Sequence, residues 1–203
     1  MKRLLMVLLI VSVNAFAQSD LGYQSPPKMM ADLVDAPRRP AAVVSDDRQW
    51  VALLKQPGAP GISELAQPEE KLAGLRINPA IFAPSRSRGY TGVELRSLTD
   101  DVKRPVTDLP EGKVMNATFS PDSMNLAFIL ETAEGLTLWN YSLTAGKTSQ
   151  VSDRLINASL GGVKFRWKND SSGFYTRLTV YAADQRPVKG VGDIKPVIQT
   201  TTG

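Results

Sequence analysis

The sequence predicts an all-β protein, a partial β-propeller of about two and a half four-stranded antiparallel blades that follows a signal peptide. Two ungapped internal repeats carry this prediction: a strand–turn–strand pattern that occurs three times, and a strand-ending pattern that occurs twice. The composition is that of a folded domain, because 42% of the 203 residues are hydrophobic and 22% are charged.

The strand–turn–strand pattern is visible when three segments are aligned without gaps: 44–53 (VSDDRQWVAL), 119–128 (FSPDSMNLAF) and 167–176 (WKNDSSGFYT). Each segment has an apolar residue, two further residues and then an aspartate, and its second strand resumes after a short turn. A carboxylate in a tight turn can accept hydrogen bonds from nearby backbone N–H groups. We therefore predict that these aspartates, Asp47, Asp122 and Asp170, are structural.

The second pattern pairs residues 142–153 (SLTAGKTSQVSD) with residues 97–108 (SLTDDVKRPVTD). Each of the two segments is predicted to contain the end of a third strand, a turn and a short fourth strand. The middle unit is then complete, with strands near Val114–Phe119, Leu126–Leu130, Leu136–Tyr141 and Thr148–Val151. Its aspartate precedes the next one by 48 residues, which is typical of a propeller blade. A β-sandwich whose strands resemble one another by coincidence is the alternative.

The first unit is longer, because 75 residues separate Asp47 from Asp122. The extra length falls between its second and third strands and is predicted to be an insertion at 57–85. Insertions and loops often carry the function of a repeat protein. A short helix is expected at Pro68–Leu75, with proline near its start, acids in its first turn and Gly74 near its end.

The beginning of the chain has the pattern of a secretory signal. Lys2 and Arg3 precede an apolar run, Leu4–Val13, and residues 15–17 (AFA) form a cleavage site. The protein is therefore expected to be exported, to the periplasm or the extracellular space. Cleavage would lower the net charge from +4 to +2, too small an excess to favour nucleic acid or an anionic membrane surface.

The predicted organisation has five parts. They are a signal peptide (1–17), an extended N-terminal segment (18–40), a blade (41–108) with the insertion (57–85), a complete blade (109–155) and an incomplete blade (156–203). The three tryptophans, Trp50, Trp139 and Trp167, fall in predicted strands and are expected to pack between blades.

The chain contains no histidine and no cysteine. A Ser-His-Asp or Cys-His centre cannot be assembled from it, and the commonest metal ligands are missing. The adjacent acidic pairs do not have the spacing of a calcium loop. The sequence therefore predicts no catalytic residue, no metal site and no cofactor within these 203 residues.

Four ordered segments closely resemble the N-terminal region of glutamyl endopeptidases, which are serine peptidases of the prolyl oligopeptidase family. The segments are 23–28 (YQSPPK), 32–37 (DLVDAP), 64–78 (ELAQPEEKLAGLRIN) and 85–92 (SRSRGYTG). The resemblance implies a propeller that restricts access to a catalytic α/β-hydrolase domain, so that peptide substrates are bound with that missing domain. No G-x-S-x-G elbow occurs in the sequence, so the chain is expected to be the front part of a longer enzyme.

A peptidase with glutamate preference needs a cation for the substrate carboxylate, and arginine can bind one with two hydrogen bonds. The insertion and its flank supply three candidates: Arg76, Arg86 and Arg88. The alternative is that these arginines are solvated, or paired with acids such as Glu69 and Glu70.

Three hypotheses of function follow. The first is the substrate-gating propeller of a secreted serine endopeptidase, with the chemistry supplied elsewhere. The second is a stand-alone periplasmic propeller that binds protein partners, similar to the Tol-system propeller. The third is an inactive remnant. Since propellers have ~4–8 blades and open sheet edges invite aggregation, residues 18–203 alone are expected to fold poorly. A sharp, reversible melting transition of that segment as a monomer would favour the second hypothesis.

Overall fold

The computed structural model describes residues 25–34, 36, 38–60 and 62–180. The predicted signal peptide (1–17) and the last part of the predicted third blade (181–203) lie outside the described residues. The chain divides into two compact units, Met1–Ala36 and Pro37–Gly203.

The first unit contains one described helix, α1 (Lys28–Val34). The helix begins directly after two prolines, with the Met30 N–H donating to Pro27 O at 2.8 Å, and methionine, alanine and leucine favour helix in the residues that follow. This differs from the extended conformation predicted for 18–40. No helix within the described residues is long and apolar enough to cross a membrane.

The second unit is almost entirely β-structure. Its described helix is α2 (Ile62–Leu65). Its described strands are β1 (Ala41–Val44), β2 (Trp50–Lys55), β3 (Glu70–Leu72), β4 (Leu75–Asn78), β5 (Ala83–Pro84), β6 (Gly92–Ser97), β7 (Lys103–Pro105), β8 (Lys113–Phe119), β9 (Asn125–Glu131), β10 (Leu136–Ser142), β11 (Lys147–Gln150), β12 (Phe165–Trp167) and β13 (Phe174–Thr176).

These strands form two four-stranded antiparallel sheets, ordered β1-β2-β6-β7 and β8-β9-β10-β11, followed by the hairpin β12-β13. The fold class is confirmed: the chain is all-β and forms consecutive four-stranded blades of a partial propeller. The four strands predicted for the middle blade agree with the observed strands to within one residue at each end. The insertion lies between β2 and β6 and forms a separate three-stranded sheet, ordered β3-β4-β5.

The three aspartate turns have the same geometry. The backbone N–H two residues after each aspartate donates to its carboxylate at 3.0 Å. The intervening residue is left-handed in every case: Arg48 (φ 59°), Ser123 (φ 60°) and Ser171 (φ 59°). The pKa of all three aspartates is lowered, for Asp47 and Asp122 first by the hydroxyls of Ser45 and Ser120 and then by these backbone N–H groups, and for Asp170 first by the backbone N–H of Ser172. The structural role predicted for them is confirmed.

The same turns also join consecutive sheets. The Asp47 backbone N–H donates to Ser123 Oγ at 3.2 Å, and the Asp122 backbone N–H donates to Ser171 Oγ at 3.1 Å. Each contact connects an aspartate to the residue that follows the next aspartate of the repeat. The repeat therefore specifies the joint between sheets as well as the turn within each sheet.

The second sheet lies between two apolar cores. On one side Phe128, Leu126 and Leu130 pack against Leu54 and Leu95 of the first sheet. The other core joins the second sheet to the hairpin and to part of the insertion; it contains Ile81, Ala83, Met115, Ala127, Ile129, Leu136, Leu138, Ile156, Ala158 and Phe165. Of the three tryptophans, Trp50 and Trp139 pack against the first core, and Trp167 packs against the second.

The helix predicted at Pro68–Leu75 is wrong: the structure has the hairpin β3-β4 there. Ala73 (φ 47°) and Gly74 (φ 85°) are both left-handed. Two consecutive left-handed residues define the tight hairpin turn that joins antiparallel strands. Gly74 is therefore the second residue of a turn rather than the end of a helix, and Leu72 faces Leu75 across it.

Candidate functional site: a cationic cleft between the blades

A cleft of about 460 Å³ opens where the first strands of consecutive blades come together. Its lining residues come from β1, β2 and β8, from the segment between β5 and β6, and from the residue before β12. They are Val43, Leu54, Ser87, Arg88, Tyr90, Met115, Asn116, Ala117 and Lys164. Strands β1 and β8 contact each other along this edge. The blades of a closed propeller surround a central channel, and we expect the edge where these first strands converge to face it.

A β-bulge shapes one wall of the cleft. The register of β8 against β9 shifts between Met115 and Thr118, and Asn116 is left-handed (φ 51°). Asparagine tolerates this conformation better than most residues. Bulges commonly redirect side chains near functional sites, and here Asn116 Oδ1 accepts a hydrogen bond from Lys164 Nζ at 3.1 Å. The bulge thereby connects the second sheet to the residue that precedes the hairpin.

The segment 87–90 also lines the cleft and lies tightly against the start of β8. Tyr90 and Val114 exchange two backbone hydrogen bonds of 2.8 Å. A Cβ atom on Gly89 would lie 2.5 Å from the Cβ of Lys113, closer than side chains approach. Only glycine fits there without movement, and the close approach places Arg88 at the cleft. Arg88 is exposed and makes no hydrogen bond or ion pair with any described residue.

A buried carboxyl group, that of Glu131, lies beside the cleft. Glu131 is 8% exposed, and its Oε2 accepts a hydrogen bond from Ser87 Oγ at 2.8 Å. Burial raises the pKa of this carboxyl group, while the Ser87 hydroxyl, Lys113 and Lys164 act in the opposite direction. Lys113 is itself paired with Glu64 of α2, at 2.7 Å between Nζ and Oε1. These contacts hold the insertion and its flank against the second sheet.

The structure separates the three predicted arginines. Arg76 Nη1 lies 2.9 Å from Glu69 Oε1, and Arg86 Nε lies 3.6 Å from Glu69 Oε2. Ser85 Oγ also donates to Glu69 Oε2 at 2.6 Å, and this hydrogen bond, together with the two arginines, lowers the pKa of Glu69. Two of the three arginines therefore have an internal partner, whereas Arg88 alone of the three lines the cleft.

Sequence reasoning missed Lys164 and Asn116. Lys164 belongs to no recognisable motif, and Asn116 belongs only to a glycosylation sequon (116–118, NAT), which predicts no contact with Lys164. The two are brought together by the joint between the second sheet and the hairpin. Within the described ranges there is no group of three or more carboxylate, imidazole or thiol side chains that could hold a metal ion. The chemistry available in the cleft is that of hydrogen-bond donors and positive charge.

Comparison with known proteins finds similarity to short parts of two longer plant proteins. No protein-family model matches it. It is 34% identical over 166 residues to a protein of Oryza sativa subsp. japonica described as a probable chloroplastic glutamyl endopeptidase, covering 75% of this chain and 18% of that protein. A protein of Arabidopsis thaliana with the same description is 38% identical over 118 residues, covering 56% of this chain and 12% of that protein.

The chain thus spans less than a fifth of the length of these relatives. A solved structure of a protein described as TolB from Agrobacterium tumefaciens has a TM-score of 0.33 and 11% identity, covering 69% of this chain and 61% of that one, a similarity too weak to carry an inference. The identities to the two plant proteins show that this chain is similar to part of proteins described as probable glutamyl endopeptidases.

Proposed function

We propose that the chain is the substrate-gating propeller portion of an exported serine endopeptidase that hydrolyses peptide bonds, similar to the glutamyl endopeptidases of the prolyl oligopeptidase family. The observation that carries this proposal is the 34% identity over 166 residues, which covers most of the chain. Because the 203 residues contain no histidine, the general base of a serine peptidase would come from a part of the same protein outside them.

The geometry supports a role in admitting substrate. The cleft lies on the edge where the first strands of the blades converge, so a peptide that travels along a propeller channel would pass it. Its walls combine apolar side chains with the donors of Arg88 and Lys164, which suits an extended peptide with acidic side chains. The export step rests on the signal pattern at residues 1–17.

The proposal is tested on the intact gene product, meaning the protein translated from the whole reading frame that contains these residues. A fluorophosphonate probe, which labels activated serines, is expected to modify it, and it is expected to hydrolyse short peptides after glutamate. Gating predicts that a folded protein carrying the same cleavage sequence in a loop is cut far more slowly than the free peptide. A product that resists the probe and cleaves no peptide would contradict the proposed activity, and equal cleavage of peptide and folded protein would contradict gating.

Export has a separate test. N-terminal sequencing of the mature protein is expected to begin at Gln18, since the predicted cleavage follows Ala17. Recovery of the protein from the cytosol with Met1 still attached would contradict export while leaving the peptidase proposal in place.

A further inference from the structure

The cleft combines positive charge with the absence of an acidic lining residue. Arg88 and Lys164 both line it, and none of the other lining residues is acidic. The nearby carboxyl group of Glu131 is buried and accepts the Ser87 hydroxyl; it forms no described ion pair with Arg88 or Lys164, although the charge of Lys164 acts to lower its pKa. Two cations in one concave site attract an anion more strongly than isolated surface charges do.

Both cations retain unused donors. Lys164 makes one described side-chain hydrogen bond, to Asn116 Oδ1, and an ammonium group has three N–H donors. Because Asn116 uses its oxygen for Lys164, its amide N–H groups remain available. The Arg88 guanidinium has five N–H donors and none of them is used within the described part of the chain.

Arg76 and Arg86 differ from this pair. Their guanidinium groups lie beside one shared carboxylate, Glu69, so an incoming anion would have to compete with an internal one. The remaining walls of the cleft are apolar, from Val43, Tyr90 and Met115. An aliphatic chain that ends in a carboxylate matches such a site, with its methylene groups on the apolar wall and its charge at the donors.

We propose that Arg88, Lys164 and Asn116 form a binding site for a peptide carboxylate, with Arg88 and Lys164 as its charged donors. That the ligand is a peptide rests on the proposed function, whereas the preference for a carboxylate rests on the cleft itself. Two sources of carboxylate share this chemistry, an acidic side chain and a free chain terminus. Arg76 and Arg86 instead position the insertion through Glu69 and do not contact the ligand.

The test measures binding to the intact gene product after treatment with fluorophosphonate, so that turnover is not required. Fluorescence anisotropy compares a labelled peptide that contains glutamate and is capped at both ends with the same peptide carrying glutamine. A third peptide has glutamine and a free C-terminus. We expect at least one carboxylate-bearing peptide to bind about tenfold more tightly than the capped glutamine peptide, the effect of one charged hydrogen-bond pair. The peptide that shows the preference identifies the source.

Arg88→Gln and Lys164→Gln are each expected to reduce this preference about tenfold, and Arg88→Lys to reduce it less, because it keeps the charge and loses the planar donor pair. The matched control is Arg76→Gln, which removes the same charge from an arginine paired with Glu69 and should leave the preference unchanged. Peptide binding without any preference for a carboxylate would overturn the inference, as would an equal loss in Arg76→Gln.

A protein that proves not to be a peptidase but still selects carboxylate peptides through Arg88 would contradict the proposed function alone. A peptidase whose selectivity is unchanged in both cleft variants would contradict the carboxylate site alone. Amide hydrogen exchange in β8 and β9 checks that each variant is folded, which is expected for Arg88 because its side chain is exposed.

Discussion

The second four-stranded sheet and the three-stranded sheet of the insertion are stabilised by different interactions. In β9, six of seven residues are buried, and the strand packs against apolar cores on both faces. In β3 all three residues are exposed. Ile81 and Ala83 attach the insertion to the second sheet, and the carboxylate of Glu69 joins the parts of the insertion to one another. The pattern of apolar residues in a strand predicts which of its side chains are buried. The ionic contacts of Glu69, in contrast, depend on partners that only the fold brings close.

The largest expected loss of stability comes from removing a buried apolar side chain of the second sheet. Phe128→Ala removes a side chain that is 0% exposed and lies between the two four-stranded sheets, so we expect a loss of about 3–5 kcal/mol in local stability. Leu72→Ala in β3, where leucine is 66% exposed, should change stability by no more than about 0.5 kcal/mol. Native-state hydrogen exchange of the intact gene product measures both. Similar losses in the two variants would mean that the insertion is a second core.

The same difference explains what the sequence could predict about the fold. The strands of the middle blade and the aspartate turns depend on residues within a few positions of one another, so their pattern survives without tertiary information. The residues of the β3-β4 hairpin also predict a helix, because proline, acids and glycine at these positions suit either structure. The left-handed conformation of Ala73 makes the turn of the hairpin, and an alanine in the sequence does not predict that conformation.

The candidate site was predictable only in part. The residue type of Arg88 and its place beside the insertion make it a candidate, but nothing in the local sequence distinguishes it from Arg76 and Arg86. The distinction depends on Glu69: the β3-β4 hairpin brings it to Arg76, and the turn after β5 brings Arg86 to it. Lys164 is held at the cleft by its hydrogen bond to Asn116 in the bulge of β8. This contact joins two different blades, so the spacing of residues along the chain does not predict it.

A smaller effect is expected at the joint between the blades. Ser123→Ala removes the hydroxyl that accepts the Asp47 backbone N–H, and Ser123 is 3% exposed. We expect a loss of about 1 kcal/mol, seen as faster amide exchange at 45–50 and along β8. The control is Ser149→Ala on the exposed strand β11, which should leave exchange unchanged. No difference between the two variants would show that apolar packing alone joins the sheets.

The stability of the protein should depend on pH in opposite directions for the buried carboxyl group of Glu131 and the turn carboxylate of Asp122. Burial raises the native pKa of Glu131, so the native state binds more protons than the unfolded state and stability falls as pH rises through that window. The Ser120 hydroxyl, followed by the Met124 backbone N–H, lowers the native pKa of Asp122, so its contribution is present above the ordinary aspartate pKa and is lost as pH falls through the lowered one.

Two variants test these opposite signs. Glu131→Gln should remove the fall in stability that accompanies rising pH. Asp122→Asn should remove part of the fall in stability that accompanies decreasing pH. Denaturation of the intact gene product across the acidic and neutral range measures both slopes. A Glu131→Gln variant that is less stable than the native protein at neutral pH would indicate that the ionised carboxylate is compensated by Lys113 and Lys164, contrary to the expected sign.

The smallest expected effect is local and concerns the contacts of the Glu69 carboxylate within the insertion. Glu69→Gln removes the charge that Arg76 and Arg86 share and weakens the acceptor of the Ser85 hydroxyl. Because Ile81 and Ala83 still pack against the second sheet, the insertion should stay attached, with faster amide exchange confined to β3, β4 and β5. Glu70→Gln is the matched control, since Glu70 is exposed and makes no described ion pair. Faster exchange that spread into β9 would show that the two sheets are one cooperative unit.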